Sequence, residues 1–204
     1  MAPDLTEVDR SDGQPKRRRL VLVRHARSSH EHAAWVDAHG FRAWRAAYEA
    51  AGIGEHEQPP AELWRLASTA GLVLASDAPR AVATARLLVS VSDVRVSPLL
   101  RELELDGPGL GRLRLPLRAW ALGVGVRILG QMMLRRYPSP VEAARITDAA
   151  TMLDEHADRH HLVVVVTHGM FRRRLASELE RIGWRREAGK RTMEPWSAWM
   201  LSRK

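Results

Sequence analysis

Charged and imidazole side chains follow two of the most apolar runs in this chain. Arg24 and His25 come directly after residues 20–23 (LVLV), and His168 comes directly after residues 162–167 (LVVVVT). Unbroken branched and aliphatic runs are typical of strands buried on both faces of a sheet. In open α/β sheets, ligands bind beyond the carboxyl ends of the strands. Since guanidinium groups suit phosphate oxygens and a neutral imidazole can act as a nucleophile, these residue types favour phosphate chemistry.

A third apolar run ends in the same way. Residues 72–76 (LVLAS) predict a strand that delivers Ser76 to its end, and Pro79 is placed to begin the helix that carries Arg80. A shorter strand is predicted at residues 94–97. Three loops are therefore expected to meet at one edge of the sheet.

A carboxylate that could transfer a proton follows the short strand. Glu102 is the main candidate, while Glu104 and Asp106 lie two and four residues further on and remain alternatives.

The remaining patterns are mostly helical. Apolar residues at i, i+3, i+4 and i+7 predict a helix over 41–51 and another after Pro59. Ser139 and Glu142 have the spacing of a capping box, and His160 and His161 are expected to cap the end of the same helix. The last strand is predicted at residues 196–201. The alternation of strands and helices indicates an α/β fold.

Four segments, taken in order, form a recognisable pattern. They are RH at the first strand end, SDAPRAVATA at residues 76–85, LLRELE at residues 99–104, and HG at the end of the strand over 162–167. This order resembles the histidine phosphatase superfamily, whose fold is shared by phosphoglycerate mutases and histidine acid phosphatases, over residues 20–201. The resemblance implies a three-layer α/β sandwich with a mostly parallel central sheet and a helical insertion.

The resemblance also implies roles for the candidate residues. His25 would be the nucleophile that forms a phosphohistidine, and Glu102 would protonate the leaving oxygen and then activate water. No metal or cofactor is implied. The phosphate would be bound by Arg24, Arg80 and His168, with support from Ser28, Ser76 and Gly169.

Two positions depart from the usual pattern. Ala26 replaces the glycine of the common RHG motif, which would strain the backbone if that position needed a positive φ. Glu31 stands where mutase-like members usually have asparagine, and an acid there would repel phosphate. We therefore expect a phosphatase acting on a small-molecule or protein phosphoester. A silent phosphate-binding sensor or scaffold, and a mutase-like phosphotransferase, remain alternatives.

Composition limits the other classes. The 204 residues have a formal net charge of +8, and because only Lys16, Lys190 and Lys204 are lysine, 29 of the 32 basic residues are arginine. This excess suits a GC-rich bacterial genome, and no aromatic residues interleave the basic runs as a nucleic-acid surface requires. Residues 1–15 read as a disordered tail without a signal peptide, followed by one domain over 16–204 that we expect to be cytoplasmic. Cysteine is absent.

Residues 107–141 form the least ordinary stretch, with six arginines and no acid. Arg118 and Arg127 interrupt its apolar part, which disfavours a membrane-spanning helix. At about 100° per residue these two arginines point to opposite sides, which disfavours a helix lying on a membrane. A lid over the site is the favoured interpretation, with acidic or multiply phosphorylated substrates, while peripheral membrane contact through 113–134 stays open. The sequence does not predict the oligomeric state.

A metal site at His30 and His32 is not expected, because their i, i+2 spacing fits a strand face and no strand is predicted there.

Overall fold

The computed structural model describes residues 17–30, 35–89, 94–104, 111–134, 137–187 and 192–204. The predicted tail at 1–15, together with Glu31, His32 and Asp106, lies outside these ranges. In chain order the elements are β1 (Arg18–Arg24), β2 (Trp35–Val36), α1 (Ala38–Ala50), α2 (Ala61–Ser68), β3 (Leu72–Ser76), α3 (Pro79–Leu88), β4 (Val94–Ser97), β5 (Leu115–Pro116), α4 (Leu117–Met133), α5 (Pro140–His160), β6 (Leu162–Thr167), α6 (Gly169–Arg181), β7 (Arg185–Arg186) and β8 (Ala198–Arg203).

Six of the strands form one sheet in the order β4-β3-β6-β1-β8-β7. β4, β3, β6 and β1 run parallel, and β8 and β7 add an antiparallel edge. The register pairs Arg24 at the end of β1 with Thr167 at the end of β6. His25 and His168, each one residue further on, therefore leave the same edge of the sheet side by side. The expected mostly parallel α/β sheet is confirmed.

Helices cover both faces of the sheet. Because side chains alternate along a strand, each central strand sends apolar side chains to the helices on both sides. In β1, Leu20 and Leu22 belong to the apolar cluster that includes α5 and α6. Val21 and Val23 belong to the cluster that includes α2 and α3. This arrangement gives the three layers expected from the resemblance, and it explains why these strands are apolar on every residue.

A smaller apolar cluster joins α1 to α4 outside the main layers. Trp120 is fully buried against Phe41, and their rings stack with centroids 4.9 Å apart. The indole N–H of Trp120 donates to the carbonyl oxygen of Val36 at 2.9 Å. β2 and β5 form a short antiparallel pair beside this cluster. α4 therefore packs on the molecule by one side.

Several local predictions are confirmed and two boundaries are corrected. The Ser139 hydroxyl accepts from the backbone N–H of Glu142, and His161 ends α5 with φ 57°. The last strand begins at Ala198 instead of residue 196, because Trp196 has a turn conformation with φ 62°. The first helix begins at Ala38, three residues early, because the Asp37 side chain caps it.

No helix within the described residues is long and apolar enough to cross a membrane.

Candidate functional site

His25 is buried just beyond β1, with 3% of its surface exposed. Its Nδ1 atom lies 2.6 Å from the carbonyl oxygen of Ala26. Because a carbonyl oxygen only accepts hydrogen bonds, Nδ1 must carry the proton. In the neutral ring, Nε2 then holds the free lone pair.

The surroundings of His25 keep its ring neutral. Burial lowers the pKa of His25 to about 3, and the nearby charges of Arg80, Arg24 and Arg172 act in the same direction. The imidazole is therefore neutral at physiological pH, which is the form that can act as a nucleophile.

His168 faces His25, with ring centroids 5.1 Å apart in an edge-on arrangement. Its Nδ1 lies 3.2 Å from Nη2 of Arg80, which can only donate. Nε2 therefore carries the ring proton and donates to the Ser76 hydroxyl at 2.9 Å. Burial, followed by the charge of Arg80, lowers the pKa of His168 well below its usual value. The two imidazoles are thus both neutral and face each other.

Arg80 is buried at the start of α3 and is surrounded by the end of α1. Its Nη1 donates to the carbonyl oxygen of Tyr48 at 3.1 Å, and its Nη2 lies 3.0 Å from Oε2 of Glu49. The guanidinium also stacks over the Tyr48 ring, 4.5 Å from its centroid. Only its Nε is buried without a hydrogen-bond partner. No sequence pattern pointed to Tyr48 or Glu49.

Arg24 reaches over the first turn of α6. Its Nη1 donates to the carbonyl oxygen of Met193, and its Nε is buried without a partner. An added Cβ at Gly169 would lie in ordinary contact with the Nε of Arg24, at 3.6 Å, and would crowd only the Cε of Met193, at 3.0 Å. Arg24, Arg80, His25 and His168 are therefore gathered at one sheet edge.

Thr84 ties two of the sequence segments together. Its hydroxyl donates to the carbonyl oxygen of Arg80 at 2.6 Å and accepts from the backbone N–H of Ala26 at 2.9 Å. Ala26 is buried and does not have a positive φ, so alanine is unstrained there. The threonine of SDAPRAVATA thus has a structural reason to lie four residues after the arginine.

Glu102 lies at the N-terminus of α6. Its Oε1 accepts from the backbone N–H groups of Phe171 at 2.7 Å and Leu103 at 3.0 Å, and its Oε2 accepts from that of Met170 at 3.2 Å. Burial raises the pKa of Glu102, while these hydrogen bonds oppose the shift. Since Oε2 has one bonded N–H and Oε1 has two, Oε2 is the oxygen better placed to carry a proton.

The other candidates for the proton donor differ in position. Glu104 is exposed, and Asp106 lies outside the described residues. Glu102 is the one of these carboxylates whose oxygens accept hydrogen bonds from the first turn of α6, the helix that follows His168.

Arg145 of α5 holds the segment that carries Glu102, although sequence analysis did not single it out. Its guanidinium donates to the carbonyl oxygens of Leu99 at 2.9 Å, Arg101 at 2.8 Å and Glu102 at 3.3 Å. It also lies over the Phe171 ring, 4.6 Å from the centroid. An arginine on a helix face reads as solvated from sequence alone, so only the fold reveals this contact.

A second buried arginine, Arg172 of α6, holds the loop before β8. It donates to the carbonyl oxygen of Thr192 at 2.9 Å and to the Ser197 hydroxyl at 3.0 Å. Burial lowers its pKa to about 10, so it remains charged at physiological pH. This loop includes Met193, the partner of Arg24.

The Ser28 hydroxyl accepts from the backbone N–H of His30 at 3.2 Å, within its own turn. Within the described ranges, no group of three histidine, aspartate or glutamate residues could hold a metal ion.

Comparisons with known proteins identify similar structures but no sequence relative. No protein-family model and no curated protein matches the chain. A structure described as mycobacterial hydrolase 2 is 20% identical, covers 91% of this chain and 82% of its own, and has a TM-score of 0.54. Mycobacterial hydrolase 1 is 19% identical, covers 90% and 96%, and has a TM-score of 0.51. A mycobacterial glucosyl-3-phosphoglycerate phosphatase is 21% identical, covers 81% and 83%, and has a TM-score of 0.47. At these identities the likeness concerns the fold.

Proposed function

We propose that the chain is a metal-independent phosphatase of the histidine phosphatase type that hydrolyses phosphate monoesters or phosphohistidine. Its likeness in fold to the two mycobacterial hydrolases supports this proposal. The observation that carries this proposal is the pair of neutral imidazoles, His25 and His168, at the same sheet edge as the buried Arg80 and the partly buried Arg24. A phosphoryl group needs both a nucleophile and fixed positive charge, and this edge of the sheet offers both.

In the first step, the Nε2 lone pair of His25 attacks phosphorus. The bond from phosphorus to the ester oxygen breaks as the new P–N bond forms, and Glu102 gives its proton to the leaving oxygen. The ring then carries positive charge with its proton still on Nδ1. The carbonyl oxygen of Ala26, 2.6 Å away, stabilises that charge.

In the second step, water attacks phosphorus and the P–N bond breaks. The water loses a proton to the Glu102 carboxylate, which restores the acid, and His25 returns to its neutral form. The raised pKa of Glu102 suits a group that must both donate and recover a proton near neutral pH.

The bound phosphoryl group would take over contacts that protein acceptors now make. The Nε groups of Arg24 and Arg80 have no partner. Nη1 of Arg24 contacts Met193, and the two Nη groups of Arg80 contact Tyr48 and Glu49. His168 would exchange Ser76 for a phosphate oxygen at Nε2. Binding is therefore expected to rearrange these side chains.

The proposal is tested by phosphate release from p-nitrophenyl phosphate in the presence of a chelator. We expect activity in the wild-type protein to survive chelation and to fall to background in His25→Ala. His56→Ala, which changes an exposed histidine, is the matched control and should behave as wild type. Activity that persists in His25→Ala, or that chelation abolishes, would contradict the proposal.

The second candidate function is a silent phosphate-binding sensor. Protein acceptors already contact Nη1 of Arg24, Nη2 of Arg80 and Nε2 of His168, so a phosphate could bind at the two unpartnered Nε groups without reaching the geometry for transfer, which favours this candidate. If the folded wild-type protein releases no phosphate, a second experiment separates a selective enzyme from a sensor. The protein is exposed to phosphorylated metabolites and then analysed for acid-labile phosphate on His25. Labelled His25 would indicate a selective enzyme, and unlabelled His25 with measurable phosphate binding would indicate the sensor.

A further inference from the structure

The outward side of α4 is apolar and uncovered. Leu122, Val126, Leu129 and Met133 are spaced at i, i+4, i+7 and i+11, so they share one side of the helix. Between 59% and 79% of each side chain is exposed. We call these four residues the α4 outer face. Contiguous exposed apolar surface of this kind is a candidate interaction site.

The structure removes the main objection to a membrane-surface role for this helix. Arg118 and Arg127 are nine residues apart and point to opposite sides of α4, an arrangement that would weaken the amphipathic character of an isolated helix. α4 is not isolated, however, because Trp120 and Val124 pack its inner side against the molecule. Only the outer face needs to suit a partner, and Arg127 lies well away from that face.

A tryptophan and several arginines lie near α4 in the sequence or in the short strand pair that precedes it. Trp35, which pairs with Pro116 just before α4, is 58% exposed, and Leu113 is also exposed. In the sequence, Arg112 and Arg114 precede the helix and Arg135 and Arg136 follow it, with no aspartate or glutamate from 107 to 141. Tryptophan prefers the membrane interface, and arginine binds lipid phosphates.

We propose that the α4 outer face docks the protein on a membrane surface rich in anionic lipid. The four apolar side chains would enter the boundary between head groups and acyl chains, and the exposed Arg112, Arg114 and Arg118 would bind lipid phosphates. The helix has 17 residues and would lie flat against the surface. This inference goes beyond the proposed phosphatase activity and does not depend on it.

Charge makes a second copy of the chain a poorer partner. Whichever way two copies paired through this face, Arg112, Arg114 and Arg118 would meet no aspartate or glutamate of residues 111–134, so like charges would repel. An anionic surface has the complementary charge along the whole segment.

Co-sedimentation with vesicles tests the proposal on the full chain. We expect the wild-type protein to pellet with vesicles of phosphatidylserine and phosphatidylcholine, to stay in solution with phosphatidylcholine alone, and to be released by salt. Leu129→Asp should weaken binding at least about tenfold, because a charge would enter the apolar boundary. Leu87→Asp, at an exposed apolar residue of α3, is the matched control and should bind as wild type.

The charge contribution is tested separately. Arg118→Ala should weaken binding roughly fivefold, whereas Arg65→Ala on the exposed side of α2 should not. Circular dichroism would verify that each variant is folded, and phosphate release should be unchanged in all of them. Wild-type protein that stays in solution with anionic vesicles, or Leu129→Asp that pellets equally well, would overturn the proposal. A concentration-dependent dimer that Leu129→Asp abolishes, without vesicle binding, would assign the face to self-association instead.

Discussion

Oε2 of Glu49 lies 3.0 Å from Nη2 of Arg80, so a carboxylate from α1 already contacts the buried guanidinium. The Glu49 side chain is 48% exposed, which screens the pair and keeps its contribution small. A phosphate that binds Arg80 must compete with this carboxylate. Glu49 is therefore expected to oppose substrate binding.

Glu49→Gln should consequently lower KM for p-nitrophenyl phosphate by up to about fivefold, with kcat little changed, since an exposed pair contributes at most about 1 kcal/mol. The same factor should appear in the inhibition constant for inorganic phosphate. Glu62→Gln, at an exposed residue in the first turn of α2, is the control. An unchanged or higher KM in Glu49→Gln would show that the carboxylate does not compete.

Glu102→Gln should reduce kcat by about 10² to 10⁴ for an alkyl phosphate, because the leaving alkoxide then lacks a proton donor. The loss should be smaller with p-nitrophenyl phosphate, whose leaving group needs less protonation. Glutamine can still accept from Leu103 and Phe171 through one oxygen, so the segment should stay in place. Glu104→Gln is the matched control, and equal losses for both substrates would argue against a proton-donor role.

His25 should make stability depend on pH. Its pKa is about 3 in the folded protein and 6.5 when unfolded, so the unfolded chain binds more protons between these values. Stability therefore falls as pH decreases from 6.5 towards 3, by about 1.4 kcal/mol per pH unit for one such group. His168 acts in the same direction.

Denaturant unfolding at several pH values checks this. The free energy of unfolding should fall less steeply below pH 6.5 in His25→Ala than in wild type. His56→Ala should keep the wild-type slope, because that residue is exposed. A wild-type slope in His25→Ala would mean that the buried ring does not resist protonation.

Arg145→Lys should lower kcat roughly tenfold, which corresponds to about 1.4 kcal/mol of transition-state stabilisation. Lysine cannot reach the carbonyl oxygens of Leu99, Arg101 and Glu102 together, so the carboxyl of Glu102 would lose its position. The pH–rate limb that reports Glu102 should move as well. Arg181→Lys, whose partner is the nearby Glu178, controls for a general arginine effect. A lower melting temperature with an unmoved pH profile would assign Arg145 a structural role only.

The sequence was informative where apolar runs end. Leu20 to Val23 and the valines of β6 are buried on both faces, so their pattern alone indicated buried strands, and the sharp change to Arg24, His25 and His168 marked the common edge. Thr84 was part of a quoted segment, although its two hydrogen bonds required the structure.

The contacts that sequence analysis missed join distant helices. Tyr48 and Glu49 precede Arg80 by about thirty residues, and the helical pattern of α1 gave no reason to place its last turn on the site. Arg145 and Arg172 looked like ordinary charges on amphipathic helices. Arg172 is buried and Arg145 is partly buried because each contacts a loop that is distant in the sequence, and no local pattern carries that information.

Two N–H groups, the Nε atoms of Arg24 and Arg80, are buried without an acceptor. A buried donor left unpaired costs about 1 to 3 kcal/mol, so any tetrahedral oxyanion that reaches both gains affinity from relieving that cost. If the protein hydrolyses phosphate esters, inorganic phosphate leaves the reaction with the same oxygens. The catalyst would then be inhibited by its own product, and its turnover would follow the phosphate concentration around it.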